Sequence, residues 1–384
     1  MLSPTASFAG LLVLASILNT VKSASFPAPS GPYNTTLSIV QLVDKHRRDP
    51  FSPNGTARTI MISVFNPLSP ELCTPLTVPY MDTLTAAYQD TKFSDYGIPA
   101  GTFESLELQV CQPNPAKATC PKSSSEKEPK HPLILFSPAL GTTRLFYSAM
   151  AQQVASAGYI VVTIDHPYDV DIVTFPDNTT ILETNITTDN DVLLALDTRV
   201  KDITFVLNQL SLPSVSKHLA PNIDISKVGI FGHSLGGAAA GEATLSDHRL
   251  QSGINLDGSF FGAITEQGLS KPFLLFAHEG KNTTTDPSWA AVWSRLRGWK
   301  RELMLAESAH YTFSDLPDVV QVLGIAGALP DEVAGLLGTI NGGRALVVVT
   351  AYVEAFFDYF LRGDGNALLN GSSAAFPEVT FVAA

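Results

Sequence analysis

One stretch constrains this chain more than any other: Lys227-Val-Gly-Ile-Phe-Gly-His-Ser-Leu-Gly-Gly-Ala-Ala-Ala-Gly-Glu242. An apolar run at 228–231 leads through a Gly-x-Ser-x-Gly turn into small residues that suit a helix. A strand this apolar needs cover on both faces, which is the habit of a parallel sheet. The two turn glycines, Gly232 and Gly236, suit a sharp strand-to-helix corner, where a side chain would collide with the neighbouring strand or helix. Ser234 then stands at the tip of the corner as a candidate nucleophile. Its hydroxyl sits over the positive end of the following helix, whose first amides lack intrahelical partners. Glycine and serine are common in this chain, so the pattern takes its meaning from what surrounds it.

From His131 onward apolar runs alternate with helical patterns. Strands are expected at 132–136, 159–164, 228–231, 253–256, 273–276 and 303–305. Helices are expected over 147–157, over 191–210, from Gly237 and from Pro287. In the longest of them Leu193, Leu196, Val200, Ile203, Leu207 and Leu210 fall three or four apart on one side. This rhythm indicates an α/β fold with a mostly parallel central sheet and helices on both faces. Upstream, 37–43 and 59–64 read as two strands around the turn-rich Arg48-Asp-Pro-Phe-Ser-Pro-Asn-Gly55, forming an antiparallel N-terminal edge. A further strand is expected at 105–110, and an exposed loop follows it as far as Lys130. The last apolar run, 346–361, carries Glu354 and Asp358 on one polar stripe, so it reads as a helix packed on the sheet and not as a transmembrane anchor. Residues 323–337 are a candidate cover over the site that touches a lipid surface transiently.

The net charge of −12 argues against nucleic acid as a partner, because that wants clustered Lys and Arg. The one dense basic stretch, 122–130, is broken by Glu126 and Glu128 and reads as a solvated loop. An apolar run at 8–18 has the length of a signal-peptide core, and Val21-Lys22-Ser23 makes an acceptable cleavage site before Ala24. The expected organisation is a signal peptide over 1–23 and a single domain over 24–384, secreted. Sequons at Asn34, Asn54, Asn178, Asn185, Asn282 and Asn370 fit that route. Of Cys73, Cys111 and Cys120, two are expected to form a bridge in an oxidising compartment, and their spacing does not choose which. They lack the Cys-x-x-Cys pairs of a metal site, so neither metal nor cofactor is expected.

A serine nucleophile needs a base, a group that orients the base, and donors for the oxyanion. Asp257 closes the run Ile254-Asn-Leu-Asp257, and His310 lies just beyond the expected strand at 303–305. Both stand at the carboxyl edge of the sheet, where open parallel sheets present their ligands. The rival acids are Glu279 and Asp286, and the rival bases are His278, His248 and His233. Asp257 is preferred among the acids, and His310 is preferred to His278 because His278 precedes the last strand. The pair keeps the chain order Ser, Asp, His of the doubly wound hydrolases.

The elbow Gly-His-Ser-Leu-Gly-Gly, the Leu-Asp-Gly after the next strand and the segment His310-Tyr-Thr-Phe-Ser-Asp315 together resemble the platelet-activating-factor acetylhydrolases of the plasma and intracellular type II kind. The likeness extends to Leu133-Ile-Leu-Phe-Ser-Pro-Ala-Leu-Gly-Thr-Thr-Arg144 and to Phe356-Phe-Asp-Tyr-Phe-Leu-Arg-Gly363. It implies an α/β-hydrolase fold and the following roles: Ser234 as nucleophile, His310 as general base and then acid, and Asp257 holding the imidazole. The implied oxyanion donors are the backbone amides of Leu235 and Leu140. One departure stands out: Pro138-Ala139 occupies the place where family members commonly carry His-Gly. The expected function is a secreted serine esterase that forms an acyl-enzyme on esters with short acyl chains, with acetylated or oxidised phospholipids among them. A general lipase, cutinase or polyester hydrolase is the enzymatic alternative, and an inert hydrolase-fold binding protein is the other.

Overall fold

The computed structural model describes residues 23–114, 129–365 and 367–383. The expected signal peptide lies outside these residues except for Ser23, as do Cys120 and most of the basic loop at 122–130.

Nine strands form the central sheet: β1 (Asn34–Arg48), β2 (Ala57–Leu68), β3 (His131–Ser137), β4 (Ile160–Ile164), β5 (Ile223–His233), β6 (Leu250–Leu256), β7 (Phe273–Ala277), β8 (Lys300–Leu305) and β9 (Val379–Ala383). Their order across the sheet is β9-β8-β7-β6-β5-β3-β4-β2-β1. The pairings from β4 through β3, β5, β6 and β7 to β8 are all parallel. At one end β1, β2 and β4 pair antiparallel, which is the expected N-terminal edge. At the other end β9 pairs antiparallel with β8. β9 has no clear signature in the sequence, because a short edge strand buries little of the apolar face that would betray it.

The central strands β3, β4 and β7 are buried at every residue, which is why their sequences are continuous apolar runs and not alternating ones. Helices cover both faces. Helix α1 (Thr83–Ser94), capped by Asp82, lies between the strands expected at 59–64 and 105–110, where the sequence pattern is irregular. Its residues carry no clear apolar stripe, so its period is hidden. The main cover comes from α2 (Ser148–Ser156), α3 (Asp189–Ser211), α4 (Leu235–Ser246), α5 (Pro287–Trp293), α6 (Leu316–Leu323), α7 (Asp331–Leu337) and α8 (Gly342–Phe357).

Helix α3 matches the expected stripe only in part. Leu196, Ile203, Leu207 and Leu210 are buried, Leu193 is exposed, and the same face buries the charged Arg199 and Asp202. Helix α8 buries Val349, Tyr352, Val353, Phe356 and Phe357 in the core, as expected for a helix packed on the sheet. The segment 331–362 that contains it includes an 18-residue window of mean hydropathy 1.4 and is long and apolar enough to cross a membrane by length and composition. Burial of α8's apolar face gives that property its explanation within the fold.

The strand expected at 105–110 is Leu106–Pro113, and it belongs to a separate three-stranded sheet with Ala24–Ser25 and Cys73–Pro79. There Cys73 pairs with Cys111, their Cα atoms 5.3 Å apart. The bridge ties two adjacent antiparallel strands, where the register brings the two side chains together. Among the sequons, Asn54, Asn178, Asn185 and Asn370 are exposed, and Asn34 and Asn282 are half-buried.

Candidate active site

The elbow between β5 and α4 is built as its glycines require. Ser234 has φ 56° and ψ −124°, a backbone region that non-glycine residues rarely occupy and that persists only when the surroundings enforce it. Its amide donates to the Leu256 carbonyl on β6 at 2.9 Å. A Cβ on Gly236 would overlap the Ser137 carbonyl at the end of β3, and one on Gly232 would overlap the Gly236 carbonyl. Gly236→Ala is therefore expected to destabilise the fold by about 2 kcal/mol or more, since these are backbone atoms that cannot step aside. The midpoint of urea unfolding measures it; an unchanged midpoint would show that the corner tolerates a side chain.

Asp257 follows β6 directly and is also left-handed, at φ 61°. The Asn255 side chain pins the next residue, accepting from the Gly258 amide at 2.7 Å and donating to the Gly258 carbonyl at 2.8 Å. Trp289 Nε1 donates to the same carbonyl at 2.6 Å. A Cβ on Gly258 would overlap the Ser234 carbonyl, so this turn and the elbow are packed backbone to backbone.

His310 opens a short 3₁₀ turn after β8, and its Nδ1 lies 2.5 Å from Asp257 Oδ2. The turn is fixed from both sides. The Ala309 amide donates to Thr312 Oγ1 at 2.8 Å, and Thr312 Oγ1 donates to the Leu337 carbonyl at the end of α7 at 2.7 Å. The structure thus brings Asp257 and His310 together next to the elbow that carries Ser234.

The rivals separate cleanly, with one exception. Asp286 caps α5, accepting from the amides of Ser288 and Trp289 and from Ser259 Oγ. Glu279 accepts from the Glu307 amide at 2.8 Å. His248 is exposed at the far end of α4. His233 is fully buried with its Nδ1 2.9 Å from the Tyr147 hydroxyl, and burial together with the nearby His310 holds its pKa well below the ordinary histidine value.

The exception is His278 at the end of β7, which shares Asp257. Its Nδ1 lies 2.7 Å from Oδ1 and 2.8 Å from Oδ2, and its amide donates to Oδ1 at 3.1 Å. In the sequence His278 stands only as a rival to His310, whereas in the structure one carboxylate holds both. The signal was its place at the carboxyl edge, directly after an apolar run. The Asp257 carboxyl feels two opposed effects. Burial pushes it up, but hydrogen bonds from His278 and His310 and the charge of Lys281 outweigh burial and hold it well below the usual carboxylate range.

Residues 138–141 follow β3 and lie against the elbow, since a Cβ on Gly236 would meet the Pro138 carbonyl as well. The Ala139 amide donates to Tyr147 Oη at 3.2 Å, and the Gly141 amide donates to the Asp169 carbonyl at 2.9 Å. Leu140 lies between them, and its amide has no acceptor among the described residues. Leu235 is the first residue of α4, so its amide has no intrahelical acceptor. Beside this loop a cavity of about 150 Å³ is lined by Gly141, Thr142, Phe93, Phe146, Tyr311 and Leu336. His233, Asp257 and His310 present ligand atoms within 4.8 Å of one another, a spacing that a metal ion could use. Hydrogen bonds already occupy Asp257 and His310 Nδ1, and His233 is fully buried, so this donor set does not fit a resident metal.

Known proteins resemble this chain along most of its length. The family model for platelet-activating factor acetylhydrolase, isoform II, matches residues 105–209 and 191–328. A probable 1-alkyl-2-acetylglycerophosphocholine esterase of Arthroderma benhamiae is 33% identical over 97% of this chain and 99% of that protein. A platelet-activating factor acetylhydrolase of Cavia porcellus is 26% identical over 66% of this chain and 62% of that protein. Among solved structures, a ferulic acid esterase from Streptomyces cinnamoneus superposes with a TM-score of 0.77 at 32% identity, covering 94% of this chain and all of that one. With its α/β-hydrolase sheet, its glycine-flanked elbow and these relatives, the chain is an ester hydrolase and belongs to the platelet-activating factor acetylhydrolase isoform II family.

Proposed function

We propose that this protein hydrolyses carboxylic esters with short acyl chains through an acyl-enzyme on Ser234, and that acetylated glycerophospholipids are among its substrates. His310 Nε2 accepts the Ser234 proton as Oγ bonds to the ester carbonyl carbon. Charge then gathers on the carbonyl oxygen, where the amides of Leu235 and Leu140 stabilise it. Asp257 holds the imidazole by its Nδ1 and stabilises the imidazolium that forms. Collapse of the intermediate expels the alcohol, which takes the proton back from His310. Water then repeats the sequence on the acyl-enzyme, releasing the acid and restoring Ser234.

The observation that carries this reading is the Asp257–His310 hydrogen bond of 2.5 Å set beside a strained serine elbow. The substrate class is supported by the Arthroderma relative, named as an esterase of 1-alkyl-2-acetylglycerophosphocholine, and by the small cavity beside the loop at 138–141. A second reading, esters of aromatic acids, is favoured by the likeness to the ferulic acid esterase and by the rings of Phe93, Phe146 and Tyr311 around that cavity. A nitrophenyl ester series of increasing acyl length, run beside methyl ferulate and a 2-acetyl phospholipid, tests both. The expected result is fastest turnover on two- to four-carbon acyl groups and on the acetyl phospholipid. A preference for methyl ferulate over every short ester would favour the second reading, and no turnover of any ester would favour an inert binding protein.

We infer further that the chain is secreted after loss of residues 1–23 and folds as one domain over 24–384. The apolar run at 8–18, the accessible sequons and the Cys73–Cys111 bridge support this. Expressed in a eukaryotic secretory host, the protein is expected in the medium, beginning at Ala24 and losing mass on N-glycan removal. Retention in the cell with Met1 present would contradict it. A transient lipid contact is supported at the cavity rim, where Leu336 and Tyr96 are 50% and 45% exposed. Leu336→Glu is expected to weaken co-sedimentation with phospholipid vesicles and to lower turnover of a vesicle-borne ester more than that of a soluble nitrophenyl ester. Unaltered vesicle binding would sink the idea. Leu337 is buried and is not a suitable place for that charge.

A further inference from the structure

We propose that Arg199 is a positioning residue for the reaction: it holds the loop at 138–141 so that the Leu140 amide faces the carbonyl oxygen of the substrate. The inference rests on the reading of that amide as an oxyanion donor.

Arg199 sits on α3 and is completely buried. Its guanidinium is spent on the loop and on one counter-charge. Nη1 donates to the Pro138 carbonyl and to Ser137 Oγ, the latter at 3.1 Å, and Nη2 donates to the Ala139 carbonyl at 3.2 Å. Nε donates to Asp169 Oδ2 at 2.6 Å, and Nη2 reaches Asp169 Oδ1. Asp169 closes the circuit, because its own backbone carbonyl accepts from the Gly141 amide at 2.9 Å. The Arg199–Asp169 pair therefore grips the loop on both sides of Leu140.

Each neighbouring backbone group on that loop is thus engaged. The carbonyls of Pro138 and Ala139 go to Arg199, the Ala139 amide to Tyr147 and the Gly141 amide to Asp169. Proline at 138 contributes no amide. The Leu140 amide is the group left over, next to the elbow. A planar fork that reaches two successive carbonyls while pairing with a carboxylate is geometry a lysine cannot reproduce. Ser137 Oγ is held from the other side by His166 Nε2 at 3.0 Å, and His166 Nδ1 lies 2.9 Å from Asp202, itself paired with Arg58. The loop is anchored on a chain of buried polar groups that reaches β2.

This arrangement predicts a loss in the chemical step and not in binding. Removing one oxyanion donor typically costs about 10²- to 10³-fold in kcat, and a donor displaced by a loosened loop is expected to cost up to that amount. The variants are Arg199→Lys, which keeps a cation beside Asp169, and Arg199→Met with Asp169→Leu, which removes both charges so that neither is buried alone. Three readings are taken: kcat and KM on a soluble acetyl ester, the ratio of rates on that ester and its thionoester corrected for their hydroxide hydrolysis, and the thermal midpoint. Sulfur accepts hydrogen bonds poorly, so the corrected oxo-to-thiono ratio reports on the oxyanion donors themselves.

The wild type is expected to favour the oxo ester strongly. Both variants are expected to lose about 10²-fold in kcat with KM within about threefold, and to lose most of the oxo preference. A folded variant of either kind that keeps the full oxo preference and kcat overturns the role of Arg199. A wild type with no oxo preference overturns instead the oxyanion reading on which it rests. If the double variant fails to fold, Arg199→Lys alone decides between these outcomes.

Discussion

Ser234→Ala is expected to lower kcat/KM on an acetyl ester by about 10⁴-fold or more, which is about 5.4 kcal/mol of transition-state stabilisation. The thermal midpoint is expected to change by no more than a few degrees. The two expectations follow from different parts of the residue. The strained backbone at φ 56° is imposed by the packed glycines and by the Ser234 amide bonded to Leu256, and none of this involves Oγ. Alanine meets the same backbone constraint, so the elbow survives. On the proposed mechanism the hydroxyl alone supplies the covalent path, and its loss leaves the weaker catalysis of a pocket that orients an ester near oxyanion donors. Near-normal turnover in the folded variant would remove Ser234 from the reaction.

His310→Gln and His278→Gln are expected to behave very differently although both rings bond to Asp257. His310→Gln is expected to cost about 10⁴-fold in kcat and His278→Gln about tenfold. The reason is location. The His310 ring lies 4.6 Å from the ring of His233, the residue before Ser234, and Tyr311 lines the cavity beside Gly141 and Thr142. His278 sits directly at the end of β7, where its own amide also serves the carboxylate, and it acts there as one of several donors that keep Asp257 ionised. Losing it is expected to weaken the orientation of Asp257 while leaving His310, the proposed base, in place. Steady-state kinetics on the two purified variants measures the contrast. The reverse order, with His278→Gln crippled and His310→Gln active, would exchange their roles.

Particular residues show how far the sequence speaks for this molecule. The buried strands were legible because a parallel strand covered on both faces must be apolar throughout, as in β3 and β7. The placement of Asp257 and His310 at one edge of the sheet was legible because each follows an apolar run at the carboxyl edge. Helix α1 and β9 were not, since neither carries a strong period or a long apolar run. Buried charges were also hidden. Arg199 and Asp202 stand outside the apolar stripe expected on α3, yet both are fully buried there because each meets a partner far along the chain. Pairings of that kind depend on tertiary packing that no local pattern records. The pairing of Cys73 with Cys111 belongs to the same class, as it follows from the register of two strands.

The most direct test of the covalent mechanism is to trap it. The protein is incubated with a fluorophosphonate that mimics a short acyl ester, digested, and the modified residue located by mass spectrometry. The account predicts one phosphonyl group per chain on Ser234, appearing at the rate at which esterase activity is lost, and no incorporation in His310→Gln over the same period. Full inactivation with the label on another residue, or activity that persists with Ser234 fully labelled, would contradict it.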